Sequence, residues 1–361
     1  MKYILAISGG VDSCTSAKIF NRLGYKFFCV FLNLLNKISN NSKYFYSRCC
    51  SSQDYLNSKK FCKLNKIDFY SLDFINEFNY KIYYNFIKDF CINLTPVPCI
   101  TCNSEIKVNF LCLFSFFFKY TLVTGHYCCI SLYKNYYSIK RPFDFLKDQT
   151  YFLYRTNYKL IKFLFFPLAG ILKKELRIIA KLEKVFSYIK PDSSEICFIG
   201  NQKYWEFIYK KYGSFFSGDF LLLENNKKIG NHFGSFKYTI CQRKGIGFFL
   251  NKKLYVFKKN KNNCNIYLSE KKYLNFSIIF VNFFCCLLPI KIWPEILFIK
   301  YRSLGILYLC KIKILNKNQI LVKFLNYIFG LSEGQSAVFY SFNILLGGGI
   351  INKIIENDSS F

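Results

Sequence analysis

Apolar and polar positions change rhythm along the chain. In its first part, short apolar blocks alternate with longer amphipathic stretches. "YILAIS" (3–8) reads as a buried strand, residues 13–23 as a helix ending at Gly24, and "YKFFCVFLN" (25–33) as the next strand. A helix around 51–65, a strand at "DFYSLDF" (68–74), a helix over 103–119 and a strand at "TLVTGHY" (121–127) continue the series. Strand, helix, strand repeated in this way predicts a parallel sheet with helices on both faces, and such sheets bind ligands at the carboxyl ends of their strands. Ser8–Ser13, the loop after "VFLN" and Thr124–His126 all fall at that edge.

From about residue 205 the apolar runs shorten and are separated by "GD", "ENNKKIG" and "KKNKNNCN", which read as solvated turns of a small linking domain. From about 271 the pattern is all strand-like, with turns expected at "NKNQ", "SEG" and "LGGG". The expected class is α/β: a doubly wound parallel-sheet domain over 1–204, a small central domain over 205–270 and a C-terminal β-barrel over 271–361. The most apolar stretches, "FLCLFSFFF" (110–118) and "SIIFVNFFCCLLPI" (277–290), fall short of the roughly 20 residues a membrane helix needs. They are expected to be a buried helix face and core strands, with no membrane partner. The aromatic runs in 110–118 and 152–166 are read as core.

Composition changes the picture in two ways. The 361 residues carry 51 Lys and Arg against 21 Asp and Glu, a formal charge of +30 that attracts polyanions, nucleic acid first among them. The chain is also crowded with Phe, Tyr, Ile and Asn, so AT-rich coding drift explains part of the lysine excess. Seventeen cysteines suggest a disulfide scaffold at first sight. The chain is too long to need one, and "YILAI" is too short for a signal sequence. A reducing cytoplasm is expected, with most cysteines packed as small hydrophobes.

The candidate chemistry starts in "AISGGVDSCTSAKIF" (6–20). Gly9 and Gly10 allow close backbone approach, their N–H groups and the following helix N-terminus favour an anion, and Ser8 and Ser13 can donate to phosphate. Asp12 would repel phosphate by itself, which points to a magnesium ion bridging the two. The plain alternative is a helix cap. No Gly-Lys-Ser/Thr follows the glycines, so this is not a Walker A loop. A second signal is the pair Cys99 and Cys102 in "TPVPCITCNSEIKV" (95–108), with Cys197 in "PDSSEICFIG" (191–200). A thiol near a helix N-terminus is a better nucleophile or metal ligand, although a chain this rich in cysteine makes C-x-x-C pairs by chance.

The loop resembles the PP-loop of the ATP pyrophosphatases, which adenylate a substrate and release pyrophosphate. Over nearly the whole chain the sequence resembles the bacterial-type tRNA-specific 2-thiouridylases. The matching segments are "SGGVDS", "TPVPCITCNSEIK", "TGHY", "KDQTYFL", "FPLAG", "KKELRIIA", "PDSSEICFIG", "GNHFGSFKYTICQRKGIG", "KYRS" and "GLSEGQSAVFYSFNILLGGGII". The resemblance implies an ATP-dependent sulfurtransferase that adenylates C2 of the wobble uridine and installs sulfur there, with ATP and Mg²⁺ as cofactors. It implies that Ala6, Ile7, Ser8, Gly9, Gly10, Val11, Asp12 and Ser13 hold the nucleotide, with Leu32, where the family usually has methionine, and Gly125. Cys102 becomes the nucleophile and Cys197 the persulfide carrier. Val97, Pro98 and Cys99 lie near the target base, and Lys147, Asp148, Gln149, Tyr301 and Arg302 touch tRNA. Partners are tRNA and a cysteine desulfurase or relay protein that donates sulfur.

Cys99 departs from the family, where an acidic residue is common. Cys99, Cys102 and Cys197 as three ligands of a [4Fe–4S] cluster therefore compete with the persulfide route. A PP-loop ligase such as an argininosuccinate synthetase, and a tRNA-binding protein that has lost catalysis, are the competing functions. His126 is read as either a nucleotide-site or a buried strand-end residue, His232 as structural, and Arg243 and Lys244 as either phosphate contacts or a solvated turn. "RCC" (48–50) and Cys62 are read as packing.

Overall fold

A computed structural model describes residues 2–35, 51–192, 196–199, 203–212, 217–247, 252–260 and 263–355. Residues 48–50 lie outside the described residues. The first layer is built from β1 (Tyr3–Ala6), α1 (Val11–Arg22), β2 (Phe27–Asn33), α2 (Ser52–Leu64) and β3 (Phe69–Asp73). A helical run follows: α3 (Ile75–Phe78), a π turn (Asn79–Tyr83), α4 (Tyr84–Cys91), α5 (Pro98–Cys102), a second π turn (Asn103–Lys107) and α6 (Val108–Phe118). It leads to β4 (Thr121–Thr124). After β5 (Cys129–Tyr133), β6 (Tyr136–Lys140) and β7 (Leu164–Phe165) comes α7 (Lys173–Leu182).

The strands β3-β2-β1-β4-β7 form a five-stranded sheet in which every pairing is parallel. Ile4, Leu5, Leu122 and Val123 are fully buried at its centre, which is why these strands read as unbroken apolar runs. With strand order β3-β2-β1-β4, crossovers of the usual right hand place α1 and α2 on one face and the run ending in α6 on the other. Strand order reverses between β1 and β4, so a crevice opens at their carboxyl ends. α2 starts where the sequence predicts it, through a capping box: the Asp54 N–H donates to Ser51 Oγ (3.1 Å) and the Ser51 N–H donates back to Asp54 Oδ2 (3.3 Å).

The central unit contains α8 (Tyr204–Tyr212), β8 (Gly218–Leu222), β9 (Lys228–His232), β10 (Leu254–Lys259) and β11 (Ile266–Glu270). Its sheet order is β10-β11-β8-β9, over a core of Phe220, Tyr238, Val256, Ile266 and Leu268. His232 is structural: Nε2 donates to the Cys264 carbonyl (3.1 Å) and Nδ1 accepts from the Gly234 N–H (3.3 Å). "KKNKNNCN" does more than form a solvated turn. The Asn260 carbonyl accepts from the amide of buried Asn93 (3.0 Å), which ties this unit to the end of α4.

The last unit comprises β12 (Asn275–Cys286), β13 (Leu297–Lys300), β14 (Tyr308–Asn316), β15 (Gln319–Phe329), β16 (Ser336–Ser341) and β17 (Ile344–Ile355). The order β12-β15-β14-β13-β16-β17, with β17 pairing back onto β12, closes a barrel. "SIIFVNFFCCLLPI" supplies β12, as expected of a core strand. "LGGG" is not the turn expected from its glycines. Gly347, Gly348 and Gly349 lie inside β17, where a Cβ on Gly347 would collide with the Cys285 carbonyl and one on Gly349 would sit 2.5 Å from Val281. They let two strands approach closely enough to close the barrel. The β5–β6 hairpin, which the periodicity did not reveal, leaves the N-terminal part and joins β17 at Lys140–Ile344.

α6 also departs from expectation. Val108, Leu111, Cys112 and Ser115 are buried, but Leu113, Phe116, Phe117 and Phe118 are exposed, so only one face of "FLCLFSFFF" is core. Among the described residues no helix is long and apolar enough to cross a membrane.

Candidate functional site

The glycine-rich loop sits in the crevice between β1 and β4. Gly9 takes φ +72°, and a Cβ there would stand 2.9 Å from the Asp54 carbonyl, so only glycine fits against the start of α2. Gly10 caps α1 in an extended conformation. α1 begins at Val11, two residues before the predicted start, and the loop is held by its own hydroxyls. The Ser8 N–H donates to Ser13 Oγ (3.1 Å), Ser13 Oγ to the Gly10 carbonyl (3.2 Å) and Ser16 Oγ to the Asp12 carbonyl (2.8 Å). Ser8 Oγ and Ser13 Oγ are 3.1 Å apart. Gly125, just past β4, closes the other side: a Cβ there would lie 2.9 Å from the Ser13 N. Ala6 and Ile7 lead into the loop from β1, and the Ile7 N–H bonds the Val30 carbonyl (3.0 Å). Leu32 is buried in β2 opposite Leu72, near the strand end.

Asp12 lies among charges that spacing did not link. Lys173 Nζ is 2.5 Å from Asp12 Oδ1 and 3.0 Å from Asp192 Oδ1. Asp192 also holds Lys147 (2.7 Å) and Arg177 (2.6 Å). Arg177 donates to the Tyr188 and Lys190 carbonyls as well, and Lys190 pairs with Asp54 at 2.5 Å. Burial raises the Asp12 pKa, and Lys173 offsets only part of the rise. Asp192 is also penalised by burial, but Lys147 and Lys173 prevail and hold it at about 2. Lys173, Arg177 and Asp192 had no role assigned from sequence; their only signal was membership of "KKELRIIA" and "PDSSEICFIG".

His126 lies beside this crevice with Nδ1 2.9 Å from Thr124 Oγ1, and burial, aided by Lys107, lowers its pKa to about 4. It is a neutral imidazole at neutral pH. Tyr127 is buried, and Lys173 Nζ lies 5.6 Å from its ring centroid. Gln149 pins Tyr127 on both sides: Oε1 accepts from the Tyr127 N–H (2.8 Å), and the Gln149 N–H donates to the Tyr127 carbonyl (3.1 Å).

The cysteines lie further along the same core. Cys99 is half-buried and Cys102 buried on α5, and Cys197 is half-buried in the turn 197–199. Both segments converge on the helical run that ends in α4. Phe198 packs on Phe78, Tyr83 and Phe86. Val97, Pro98 and Thr101 line a cavity of about 60 Å³ together with Lys81, Asp89 and Arg155. The barrel forms its other wall and grips the cysteine segment: the Thr95 N–H donates to the Glu333 carbonyl (2.9 Å), and Thr95 Oγ1 lies 3.0 Å from Ser332 Oγ. Among the described residues no three Cys, His, Asp or Glu side chains stand close enough to hold a metal ion. Cys99, Cys102 and Cys197 are therefore not arranged as cluster ligands. Other cysteines pack as small hydrophobes, as expected of Cys62, Cys112 and Cys310; burial pushes the Cys14 thiol up to about 12.

The remaining predicted residues lie at the joint between the N-terminal part and the barrel. Asp148 is 1% exposed and accepts from Arg141 Nε (2.7 Å), Lys300 Nζ (2.8 Å) and the Thr150 hydroxyl (2.6 Å). Its carboxylate faces the interior, where the resemblance implied contact with tRNA. The Tyr301 hydroxyl donates to the Phe329 carbonyl (2.9 Å) and Arg302 to the Gly330 carbonyl (2.6 Å). Lys147 is part-exposed beside Asp192.

Family models cover the chain in three segments: a tRNA methyl transferase HUP domain over residues 1–201, a tRNA methyl transferase PRC-barrel domain over 206–270 and an aminomethyltransferase beta-barrel domain over 283–351. The chain is 32% identical to the tRNA-specific 2-thiouridylase MnmA of Buchnera aphidicola subsp. Baizongia pistaciae, covering 98% of this chain and 97% of that one. It is also 32% identical to the proteins of that name from Caldicellulosiruptor saccharolyticus (98% and 99% covered) and Rickettsia canadensis (98% and 96%).

Proposed function

Because the chain belongs to the tRNA-specific 2-thiouridylase family, we infer that it is a tRNA-uridine 2-sulfurtransferase that uses ATP to activate the wobble uridine. The observation that carries this reading is the loop Ser8–Ser13, with Asp12 and the start of α1, in the crevice beside Gly125. The C2 oxygen of uridine is a poor leaving group, and adenylation makes it a good one. The backbone N–H groups of the loop and the α1 N-terminus hold phosphate, and Ser8 and Ser13 orient it. Asp12 fits a magnesium ion, since it is a carboxylate set beside that anion site. Such an ion neutralises phosphate charge and polarises the bond to be broken. Leu32 and Gly125 bound the nucleotide.

Sulfur arrives as a persulfide on Cys197, loaded by a desulfurase or relay protein. Its terminal sulfur forms a bond to C2 and AMP leaves. The Cys102 thiolate then attacks the Cys197 sulfur, releases 2-thiouridine and forms a Cys102–Cys197 disulfide, which an external thiol reduces. That regeneration suits a reducing cytoplasm. Val97, Pro98 and Cys99 flank the target base, while Lys147, Gln149, Tyr301 and Arg302 bind tRNA. Asp148 acts from beneath by fixing the Lys147–Gln149 turn. Part of the +30 charge serves the same substrate.

The test is anaerobic. Cluster-free and iron–sulfur-reconstituted protein are each given unmodified tRNA, Mg-ATP and a persulfide donor, and the digested tRNA is searched for 2-thiouridine by mass spectrometry. Product from cluster-free protein is expected. Product only after reconstitution would transfer the chemistry to a cluster. Adenylation of a small amino acid, undisturbed by loss of both cysteines, would point to a PP-loop ligase. tRNA binding without product would point to a decayed enzyme.

A further inference from the structure

The solvent side of the joint between the N-terminal part and the barrel is apolar, and the chemistry above gives it no task. Phe143, Phe145 and Leu146, just before Lys147, are 67%, 52% and 84% exposed, and Phe342, in the turn between β16 and β17, is 77% exposed. The two segments are joined, because the Arg141 N–H donates to the Asn343 carbonyl (2.9 Å). Single exposed apolar side chains are ordinary; four on two linked segments form a patch that needs a reason. Phe342 sharpens the point. It holds φ +50°, a conformation that disfavours a bulky side chain, and Gly or Asn would serve the turn better.

The rings are held in place. Arg141 Nε is 2.7 Å from Asp148 Oδ2, and the central carbon of its guanidinium lies 4.5 Å from the Phe145 ring centroid. One face of Phe145 is thereby backed by a cation that Asp148 fixes. Asp144 sets the turn that carries the ring: its Oδ1 accepts from the Leu146 N–H (3.2 Å) and its Oδ2 from the Lys173 N–H (2.9 Å). Phe342 leans on Phe298, with ring centroids 5.8 Å apart. The exposed charge around the patch has one sign. Asp144 is the only carboxylate in 140–147 and is buried, and residues 300–307 and 341–345 contain none. Lys140 and Arg302 are exposed and Lys147 is part-exposed.

We propose that Phe145 and Phe342 are stacking platforms for unpaired bases of the substrate RNA, with Phe143 and Leu146 closing the contact around them. This rests on the tRNA reading and adds apolar contacts to the polar one at Lys147. An unpaired nucleotide offers a flat base beside a phosphate, and a rigid ring among cations with no exposed carboxylate matches both. A second copy of this chain is a poorer occupant, since it would bring the same positive rim against this one.

The test uses the full-length protein and an unmodified tRNA transcript, with affinity measured over a range of salt concentrations. F145A is expected to bind about tenfold more weakly with the slope of log affinity against log salt unchanged, because stacking releases no counterion. F342A should weaken binding several-fold in the same way, whereas K147A should make the slope shallower by about one. F145W should keep the parent affinity, and its added indole fluorescence should be quenched by tRNA and not by a fully paired RNA duplex. Should F145A fail to fold, F342A and the F145W signal decide. Parent-like binding by folded F145A and F342A would overturn the proposal and leave the tRNA reading standing. An unquenched F145W, with a changed salt slope in F145A, would also overturn it, as a merely structural loop predicts. The proposal falls too if F145A keeps its tRNA affinity but loses 2-thiouridine formation with a protein persulfide donor and not with a small-molecule one, since the patch then docks the donor. Failure of the parent to bind tRNA would overturn both readings.

Discussion

Asp148 and Asp192 are both carboxylates set among cations, and they serve different ends. Asp148 is 1% exposed, and Arg141, Lys300 and Thr150 occupy its oxygens from within the fold. The three partners come from the end of β6, from the barrel strand β13 and from the turn after Lys147, so the cluster fastens the barrel to the N-terminal part. Asp192 is 31% exposed, and its cations stand at the crevice where the parallel sheet opens. A dry cluster spends its charges on holding elements in register, because any unpaired member carries a large desolvation cost. An open one keeps its charges exchangeable. The first helps the barrel keep Thr95 and the cysteine segment in place; the second is what the proposed nucleotide site needs if phosphate is to sit beside an aspartate.

The largest effect expected of this contrast is on stability. Asp148→Asn leaves Lys300 and Arg141 buried without a counter-charge and should cost about 3–5 kcal/mol in denaturant unfolding. Asp148→Leu combined with Lys300→Met should recover part of that loss, since the buried Lys300 ammonium is removed while Arg141 still lacks its counter-charge. A loss well under 1 kcal/mol for Asp148→Asn would break the comparison. Asp192→Asn should cost only about 1 kcal/mol, because its pairs with Lys147 and Arg177 are part-exposed and Lys173 keeps Asp12 as a counter-charge.

Acid sharpens the same contrast. Asp192 sits at about 2, below the ordinary 3.8, and Asp148 is also lowered. Over that range the unfolded chain binds protons that the folded chain refuses. Their stabilisation is therefore complete above 3.8 and fades as pH falls through about 2. Asp12 is raised and behaves oppositely: its burial cost is relieved by protonation. Stability measured from neutral pH downward should fall less steeply in Asp192→Asn than in the parent. The smallest expected effect is on α6, where Phe117→Lys on the exposed face should change stability by about 0.5 kcal/mol or less.

Much of the fold was legible because periodicity is local. The parallel strands, the position of α2 and the switch to short strands all follow from neighbouring residues. Barrel closure was misread at "LGGG", because glycine signals a turn and a close strand crossing equally well. The β5–β6 hairpin turns on Lys134 and Asn135, both at positive φ, and a Lys-Asn turn is a weak signal. At the site, the loop and the Cys99–Cys102 pair stood out by spacing, and Cys197 by the segment "PDSSEICFIG" around it. Lys173 could not, since it lies 161 residues from Asp12 and is an ordinary helix residue until the fold joins them. The resemblance implied that Asp148 touches tRNA; its carboxylate is buried against Lys300, a partner 152 residues away that no local pattern reveals.

The most direct measurement separates the two halves of the reaction in Cys197→Ser. Protein, unmodified tRNA and Mg-ATP are mixed with a persulfide donor, and pyrophosphate release and 2-thiouridine are followed in the same tube. The account predicts tRNA-dependent pyrophosphate release near the parent level with no 2-thiouridine, because the nucleotide crevice is intact and the sulfur carrier is gone. Formation of 2-thiouridine at the parent rate would contradict it.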